Sequence, residues 1–526
     1  MLRSLNFPKE TSQGVIAAGH HKTAEAGMEM LRNGGNAFDA AIASILASFV
    51  AETGLTSGGG GGFLLAHTAA NRNILYDFFS QTPQNKKNQK EINFYPVDVN
   101  FGGAVQEFHI GLGSMAVPGN IAGVFEVHKQ LGKLPFHVVA EPAINYGKKG
   151  VEITQSQSYL LTVLEPIMVA MPSGRDIYAP KGQLLKTDET VFMRDFAETL
   201  SYLVENGPAE FYEGEIAQKL VKDCEEKGGY LTYEDLKNYR VIERKPLEIN
   251  YRGNTFLTNP PPSFGGTLIA FALELLSSIE VEKLGFGTAE HLHVLAEVMR
   301  LTNVARKAEF DSNIYRRDVV DRFLASEYLD GFQQQLSKTA NKLGSTTHIS
   351  VIDSEGNAAS VTTSNGEGSG YIIPGTGIMV NNMLGEEDLN PHGFHQWGEN
   401  LRISSMMAPT IVLKNGQPEI VLGSGGANRI RTAILQVISN IIDFKMSIAE
   451  AVDSPRIHWE NNKFHVEPGF AAEEVEKLRL SRKEGLTLWE NQNMFFGGVN
   501  AVLENTDGLI SGAGDRRRGG VSLSNN

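Results

Sequence analysis

The stretch STTHISVID, residues 345–353, is followed by SEGN at residues 354–357 and by AASVTTS at residues 358–364. Polar and apolar side chains alternate along the first and third segments, which is the pattern of half-buried β-strands. The four residues between them are types that commonly form turns. The sequence therefore predicts a β-hairpin at this place, and the fold prediction depends on its first strand.

Closing this hairpin across its turn brings polar side chains together where the first strand begins. Thr346 is then opposite Asn365 and Thr347 is opposite Ser364, to within one residue of register. The strand pattern starts directly after Gly344, where a charged helical pattern ends. Thr346 is thus a candidate nucleophile, although a threonine at the start of a strand is more often an ordinary strand residue.

A second candidate element is the glycine-rich stretch LGSGGANRI at residues 422–430. It leads into a predicted helix whose apolar residues have helical spacing: Ile430, Ile434, Val437, Ile438 and Ile441. A turn of this kind presents backbone N–H groups at the positive end of a helix dipole, which suits an anion or a developing oxyanion. Glycines selected only for close packing would explain the stretch equally well.

Earlier segments predict further helices and turns. Asn36 has the character of an N-cap, with Asp39 at the third helical position, and residues 118–120 and 232–235 also precede predicted helices. The five glycines at residues 58–62 lack a following Gly-Lys-Ser/Thr, so a tightly packed turn before a strand is preferred to a phosphate loop.

Composition limits the classes of partner. The chain of 526 residues has 61 acidic and 47 basic residues and a net charge of −14. A negative surface attracts neither nucleic acid nor anionic membranes, so neither is expected as a partner. The short basic run Arg516-Arg517-Arg518 is interpreted as a solvated terminal turn.

The cysteine and histidine residues show no sign of a metal or cofactor site. Cys224 is the only cysteine, so no intramolecular disulfide can form, and neighbouring carboxylates are expected to raise its pKa. His20, His21, His392 and His395 lack metal-ligand spacing and are interpreted as loop or capping residues. No cofactor and no metal are therefore predicted.

The sequence shows no recognisable membrane or export segment. No stretch has the roughly 18 apolar residues of a membrane span. Residues 1–10 lack the apolar centre of a secretory signal, so a cytoplasmic location is expected.

A series of short motifs, taken in order along the chain, resembles the γ-glutamyltransferases, also called glutathione hydrolases. The motifs are GGNAFDAA at 34–41, GGGGF at 59–63, VPG at 117–119, PPPSFGG at 260–266, TTH at 346–348, GTG at 375–377, NN at 381–382 and SSMMAPT at 404–410. Each motif is unspecific, but the ordered series covers nearly the whole chain and raises the catalytic interpretation of Thr346 above the structural one.

The resemblance implies an α/β fold of αββα type: an N-terminal-nucleophile hydrolase sandwich of two stacked sheets flanked by helices. It also implies self-cleavage between Ser345 and Thr346. Residues 1–345 would then form a large subunit and residues 346–526 a small subunit, both interleaved in one fold. In such enzymes the freed α-amine, with a reference pKa of about 8, serves as base for the threonine hydroxyl.

The resemblance also assigns site residues. Thr346 is the catalytic residue, and Ser364 takes the place of a hydroxyl near the nucleophile. Gly426 and Ala427 supply oxyanion-hole N–H groups. Glu386 holds a substrate α-amine, and Ser405 binds a substrate carboxylate. Asn365 joins this predicted substrate-binding set by its position in the hairpin.

Three positions depart from the family pattern. Phe79, in the run Asp-Phe-Phe-Ser at residues 77–80, occupies the place of an arginine that binds the α-carboxylate of a γ-glutamyl group. Met406 replaces a second carboxylate-binding serine, and Ala427 replaces a glycine that contributes an N–H group. Because alanine has the same backbone N–H, only the first two changes weaken the predicted recognition of an anion.

Three functions therefore remain open. The first is hydrolysis or transfer of a γ-glutamyl group from glutathione-like small molecules. The second is hydrolysis of another amide with the same catalytic residues, as in related acylases. The third is a non-catalytic relative that binds a ligand or partner.

Overall fold

The computed structural model describes residues 13–100, 105–333, 346–390, 392–460, 463–481, 485–505 and 507–525. Ser345, on which the predicted cleavage depends, lies outside the described residues. So do residues 1–10, from which the location was predicted. The division into large and small subunits and the cytoplasmic location therefore stay predictions.

Most strands belong to two large sheets. The strands are β1 Gly14–Ala18, β2 Gly61–His67, β3 Asn73–Phe78, β4 Tyr95–Asn100, β5 Val105–Ile110, β6 Val151–Glu152, β7 Thr190–Val191, β8 Ile242–Arg244, β9 Leu247–Tyr251, β10 Asn254–Thr258, β11 Thr347–Asp353, β12 Ala358–Ser364, β13 Thr410–Lys414, β14 Gln417–Gly425, β15 Ile457–Glu460, β16 Lys463–Val466, β17 Leu486–Leu488, β18 Gly498–Glu504, β19 Ile510–Ala513 and β20 Val521–Ser524. One sheet has seven strands in the order β20-β1-β11-β12-β2-β3-β8, and the other has six in the order β19-β18-β14-β13-β10-β9. The remaining strands form small separate sheets.

Helices lie along the chain between these strands. They are α1 His21–Arg32, α2 Ala37–Ala51, α3 Asn120–Leu131, α4 Phe136–Lys149, α5 Gln155–Val163, α6 Glu165–Met168, α7 Pro172–Tyr178, α8 Arg194–Asn206, α9 Ala209–Tyr212, α10 Glu215–Lys227, α11 Tyr233–Lys237, α12 Gly265–Ser277, α13 Val281–Leu284, α14 Ala289–Ala305, α15 Val319–Phe323, α16 Ser326–Gln333, α17 Arg429–Ile442, α18 Ile448–Asp453 and α19 Ala472–Ser481. Short 3₁₀ turns and one π-helical turn, Arg306–Phe310, complete the described secondary structure.

The two large sheets stack face to face between layers of helices. β11 and β12 of the first sheet contact β14 of the second, while α2 contacts β11 and β12 from the other side. On the second sheet, α17 contacts β14 and β18, and α12 packs on α17. This arrangement is the predicted αββα sandwich, so the fold prediction is confirmed.

The predicted hairpin is present as β11 and β12. Its register differs by one residue from the predicted pairing, which is within the one-residue range given for the prediction. Thr347 lies opposite Thr363, and the same offset places Thr346 level with Ser364. The turn closes where the N–H of Asp353 donates to the carbonyl of Asn357 at 3.0 Å. Only three residues then remain in the turn, and Gly356 adopts a φ of 85°, which glycine permits without strain.

The predicted caps are also confirmed. Asn36 and Asp39 form a capping box at the start of α2, and the same motif opens α11 at Thr232. Every residue of α2 is buried, as its apolar character on all sides indicates. The rigid position of this helix bears on the site described below.

Two predictions about charged and polar residues need correction. The run at residues 516–518 is not a solvated turn as a whole: only Arg516 is largely exposed, at 81% of its side chain. Arg517 is buried, with Nη2 2.5 Å from a Glu467 carboxylate oxygen. The pKa of Cys224 is raised to about 12, as predicted in direction, but burial is the main cause and the neighbouring carboxylates are minor.

Candidate active site

Most of the predicted site residues meet around one small cavity at the beginning of β11. Its volume is about 30 Å³, and its lining includes Thr346, Ser364, Glu386, Ser405 and Ala427, together with Phe79 and Met406. The residues lie at strand ends of the first sheet, in the segment between β12 and β13, and in the turn and first residues of α17. Positions far apart in the sequence are therefore brought together at the same end of the stacked sheets.

Thr346 packs directly against the glycine-rich turn. A Cβ atom on Gly425 would lie 1.9 Å from the Thr346 carbonyl oxygen, so no larger residue fits there. The paired part of β14 ends at Gly425, and the next two residues adopt positive φ values, 121° for Gly426 and 46° for Ala427. A positive φ is uncommon for alanine and marks a constrained turn.

This turn precedes α17, which begins at Arg429. The N–H groups of Gly426 and Ala427 therefore lie at the positive end of a helix that is buried throughout its length. The geometry agrees with the oxyanion interpretation. The assignment of these two N–H groups stays a prediction.

The side chains of Ser364 and Asn365, at the end of β12, have different surroundings. Ser364 lines the cavity, and its Oγ accepts a hydrogen bond of 2.9 Å from the N–H of Gly366. The Asn365 side chain accepts a hydrogen bond of 3.0 Å from Ser57 Oγ. Its predicted contact with substrate stays a prediction, and among the described residues Asn365 is outside the cavity lining.

Carboxyl groups dominate the polar side of the cavity. Glu386 is buried and its pKa is raised well above the usual range, first by burial and then by the charges of Glu367 and Asp388. Two carboxyl groups held so close favour a state in which one keeps a proton. A cationic group of a substrate would relieve this repulsion.

Ser405 has its side chain engaged with its own chain segment. Its Oγ accepts a hydrogen bond of 3.0 Å from the N–H of Met407, and its carbonyl oxygen accepts one of 2.8 Å from Ser263 Oγ. Met406, which follows it, is 4% exposed and lines the cavity with its neighbour Met407. The surface offered to a substrate here is thus partly apolar.

Phe79 contributes an apolar wall at the place where the family resemblance predicts an arginine. Its ring stacks on Phe63 with 5.3 Å between centroids, and the residue is 1% exposed. Its carbonyl oxygen accepts a hydrogen bond of 2.8 Å from Tyr239 and another from Arg402. The backbone at this place is therefore fixed from both sides.

Arg402 is a basic residue behind Phe79, but its guanidinium is bonded to other groups. It donates to Tyr239 Oη at 2.5 Å and to the carbonyl of Arg240 at 2.6 Å, and it lies 3.4 Å from an Asp77 carboxylate oxygen. Among the described residues, the cavity lining contains no arginine and no lysine. Arg402 therefore does not replace the missing arginine.

Sequence reasoning missed several charged groups near the cavity. Asp388 lines it and accepts a hydrogen bond of 3.1 Å from Asn428. Arg518 lies next to the glycine-rich turn, with Nη2 3.0 Å from where a Cβ atom of Gly426 would be, and burial lowers its pKa to about 10. The acidic triplet at residues 386–388 is a signal in the sequence for Asp388. Arg518 was missed because the arginine run was interpreted as solvated.

His348 is adjacent to the reactive strand start but is not suited to act as a base. Both ring nitrogens are engaged, with Thr362 Oγ1 at 2.8 Å and Ser350 Oγ at 2.9 Å. Burial lowers its pKa to about 3. The ring is therefore a neutral structural element between strands and does not supply the base that the predicted nucleophile requires.

Two general features complete the description. Over the parts of the chain that the structure describes, no group of three or more His, Cys, Asp or Glu residues is arranged to hold a metal ion. Within the same residues, every helix falls short of the length and hydropathy that a membrane span requires.

Comparison with known proteins agrees with this geometry. The model of the family described as gamma-glutamyltranspeptidase matches residues 23–524. The chain belongs to the γ-glutamyltranspeptidase family. It is 29% identical to a glutathione hydrolase proenzyme of Escherichia coli over 97% of this chain and 91% of the relative.

Some of the proteins that this γ-glutamyltranspeptidase-family chain resembles are acylases. The chain is 31% identical to an acylase ACY 1 proenzyme of a Pseudomonas species over 98% of this chain and 94% of the relative. The crystal structure of a cephalosporin acylase from Bacillus halodurans superposes with a TM-score of 0.83 at 26% identity, covering 99% of this chain and 98% of that chain. The protein is thus a γ-glutamyltranspeptidase-type N-terminal-nucleophile hydrolase, and its relatives include glutathione hydrolases and acylases.

Proposed function

We propose that the protein is a self-processing amidohydrolase in which Thr346 is first the cleavage nucleophile and then the catalytic nucleophile. The observation that carries the proposal is the position of Thr346 at the cavity, against a constrained turn before a buried helix. This is where a hydroxyl nucleophile and oxyanion-stabilising N–H groups are required together.

The processing step needs no other reactant than water. The Thr346 hydroxyl attacks the carbonyl carbon of Ser345, and its proton passes to the leaving amide nitrogen as the C–N bond breaks. The resulting ester is hydrolysed, which releases the carboxylate of Ser345 and the free hydroxyl and α-amine of Thr346. The α-amine can then accept the hydroxyl proton in each later turnover.

In the mature enzyme the same hydroxyl attacks the amide carbon of a small-molecule substrate. The N–H groups of Gly426 and Ala427 stabilise the negative charge that develops on the carbonyl oxygen. The amine half leaves with a proton, and an acyl-enzyme remains on Thr346. Water completes hydrolysis, and an amine in its place completes transfer.

The first candidate substrate is a γ-glutamyl compound of the glutathione type. Support comes from the family and from Glu386, whose carboxylate can bind the α-amine of a γ-glutamyl group. Because burial and neighbouring carboxyl groups raise the pKa of Glu386, an ammonium group that binds there favours loss of the carboxyl proton.

The second candidate substrate is an amide whose acyl group has no α-carboxylate. The specific observation that favours it is the apolar surface of Phe79 and Met406 in a cavity without arginine or lysine among its described lining residues. An ionised carboxylate buried there would lack a charged partner, which is costly. We propose this as the alternative to γ-glutamyl specificity.

Self-cleavage is the first testable consequence. Purified protein is expected to give two polypeptides on a denaturing gel, because in the proposed processing step the Thr346 hydroxyl attacks its own upstream peptide bond. Mass spectrometry should identify a fragment beginning at Thr346. An intact chain in preparations that hydrolyse amides would contradict the N-terminal-nucleophile proposal.

A substrate panel separates the candidate functions. Processed protein is incubated with glutathione, with a γ-glutamyl anilide and with simple acyl anilides that have or lack an amino group on the acyl half. We expect the acyl compounds with an amine and without a carboxylate to be hydrolysed with the lowest KM, because Glu386 has a partner and no carboxylate is buried. Release of glutamate at a comparable KM supports the γ-glutamyl function, and processing without any turnover supports the binding protein.

A further inference from the structure

A buried carboxylate contacts the strand that carries the nucleophile. Glu52 accepts a hydrogen bond of 2.5 Å from Thr347 Oγ1 through one oxygen and one of 2.6 Å from Thr23 Oγ1 through the other. Glu52 and Thr347 are each about 3% exposed. Both carboxylate oxygens are therefore occupied by hydroxyl groups, and one of these belongs to the residue directly after Thr346.

On this side, the pairing with β1 does not extend to the start of β11. The pairing of β1 with β11 ends at Ala18 and Ile349, whereas the pairing of β12 with β11 continues to Thr347. Thr347 is thus held by a neighbouring strand on one edge only. The Glu52 bond supplies the contact that β1 does not reach.

The carboxylate is attached to a rigid support. Glu52 follows the last residue of α2, and its N–H donates to the carbonyl of Ser48 at 2.8 Å. Its own carbonyl accepts from Leu55 and Thr56. Because α2 is buried throughout and capped at its start, the position of the carboxylate is fixed relative to the first sheet.

Gly19 leaves space for this contact. A Cβ atom there would lie 2.4 Å from Glu52 Oε2 and 2.7 Å from Thr347 Oγ1. The space beside the Glu52 carboxylate and the Thr347 hydroxyl is thus large enough for a glycine only. Even one added methyl group would push the carboxylate and the hydroxyl apart.

We propose that Glu52 is a positioning residue that holds Thr347 and thereby fixes the Thr346 hydroxyl for attack. The inference rests on the proposed function of Thr346. Before cleavage the contact fixes the strand at the bond to be cut. After cleavage Thr346 becomes a chain terminus, and termini lose order unless they are tied down. The Glu52–Thr347 bond then ties the new terminus to the large subunit.

Precise placement matters because a misplacement of about 1 Å can cost roughly 100-fold in rate. Glu52 lines a different cavity from the one that contains Thr346, so we expect it to act on Thr346 through Thr347 and not by contact with a substrate. Loss of the contact is therefore expected to lower kcat and to leave KM within about two-fold, since a position effect on the nucleophile acts on the chemical step.

The test uses the full chain with Thr347→Val, which removes the hydroxyl at nearly constant volume, and Thr347→Ser, which keeps it. We expect Thr347→Val to slow self-cleavage and to lower kcat by about 10- to 100-fold, and Thr347→Ser to recover most of both. Thr258→Val is the matched control, because it removes a buried hydroxyl that bonds Thr410 in the second sheet. Its kcat should stay close to that of the natural protein.

Gly19→Ala provides an independent measurement, since it displaces the pair without removing either group. We expect a decrease in kcat in the same direction, with a circular-dichroism spectrum like that of the natural protein. An unchanged kcat in folded Thr347→Val and Gly19→Ala, or a Thr347→Ser variant as slow as Thr347→Val, would overturn the inference. Failure of the natural protein to cleave or turn over any amide would instead overturn the proposed function.

Discussion

Thr346→Ala protein is expected to remain a single intact chain and to lose amide turnover. Alanine has no hydroxyl to attack either the upstream peptide bond or a substrate, and removing the nucleophile of a hydrolase costs up to about 10⁶-fold in kcat. A loss of at least 10⁴-fold is therefore expected here. The measurements are intact-mass spectrometry and hydrolysis of the best amide from the panel.

Thr346→Ser is the matched control because it keeps a hydroxyl at the same place. It should retain part of both activities, with slower processing, since serine lacks the methyl group that restricts the side-chain rotamer. Undiminished turnover in the alanine variant would place the chemistry on another residue. Equal loss in both variants would show that the pocket depends on the threonine methyl group rather than on the hydroxyl.

Phe79→Arg is expected to lower the KM for glutathione. A charge-assisted arginine–carboxylate contact contributes about 1.5–3 kcal/mol, which corresponds to roughly 10- to 150-fold in binding. The natural protein has Phe79 and Met406 at the places where the family resemblance predicts α-carboxylate binding, so its KM for glutathione should be weak. Steady-state kinetics of glutamate release measure both values.

Two further variants separate the new charge from the loss of the ring. Phe79→Leu removes the stacking on Phe63 without adding charge and should leave the KM for glutathione weak. Met406→Ser restores a hydroxyl and should give a smaller improvement than the arginine. Tight glutathione binding in the natural protein, unimproved by Phe79→Arg, would show that another group already binds the carboxylate.

Much of the fold could be predicted because the local patterns are strong. The alternation on both sides of the turn at residues 354–357 identified β11 and β12, and the caps at Asn36 and Thr232 identified two helix starts. The observed register differs by one residue from the central prediction, because the turn is one residue shorter than the four residues that the sequence predicts. Turn chemistry alone does not distinguish these two lengths.

The electrostatics of the site could not be predicted in the same way. Burial of Arg517 and Arg518 depends on Glu467 and on the glycine-rich turn, which are distant in sequence. Carboxyl groups at Glu367 and Glu386 become partners only when the strands and turns meet. Pairing between distant charges leaves no periodic signal in a single sequence, so these contacts needed the folded chain.

The strand order of the first sheet affects how the processed protein unfolds. β11 and β12, which follow Thr346, lie between β1 and β2, which precede it. Once the peptide bond before Thr346 is cut, complete unfolding also separates two polypeptides, and refolding becomes a bimolecular reaction. The midpoint of the unfolding transition then depends on protein concentration, whereas an uncut chain refolds as one molecule. On the proposed mechanism, self-cleavage would make the mature fold dependent on a folding event that precedes the cut.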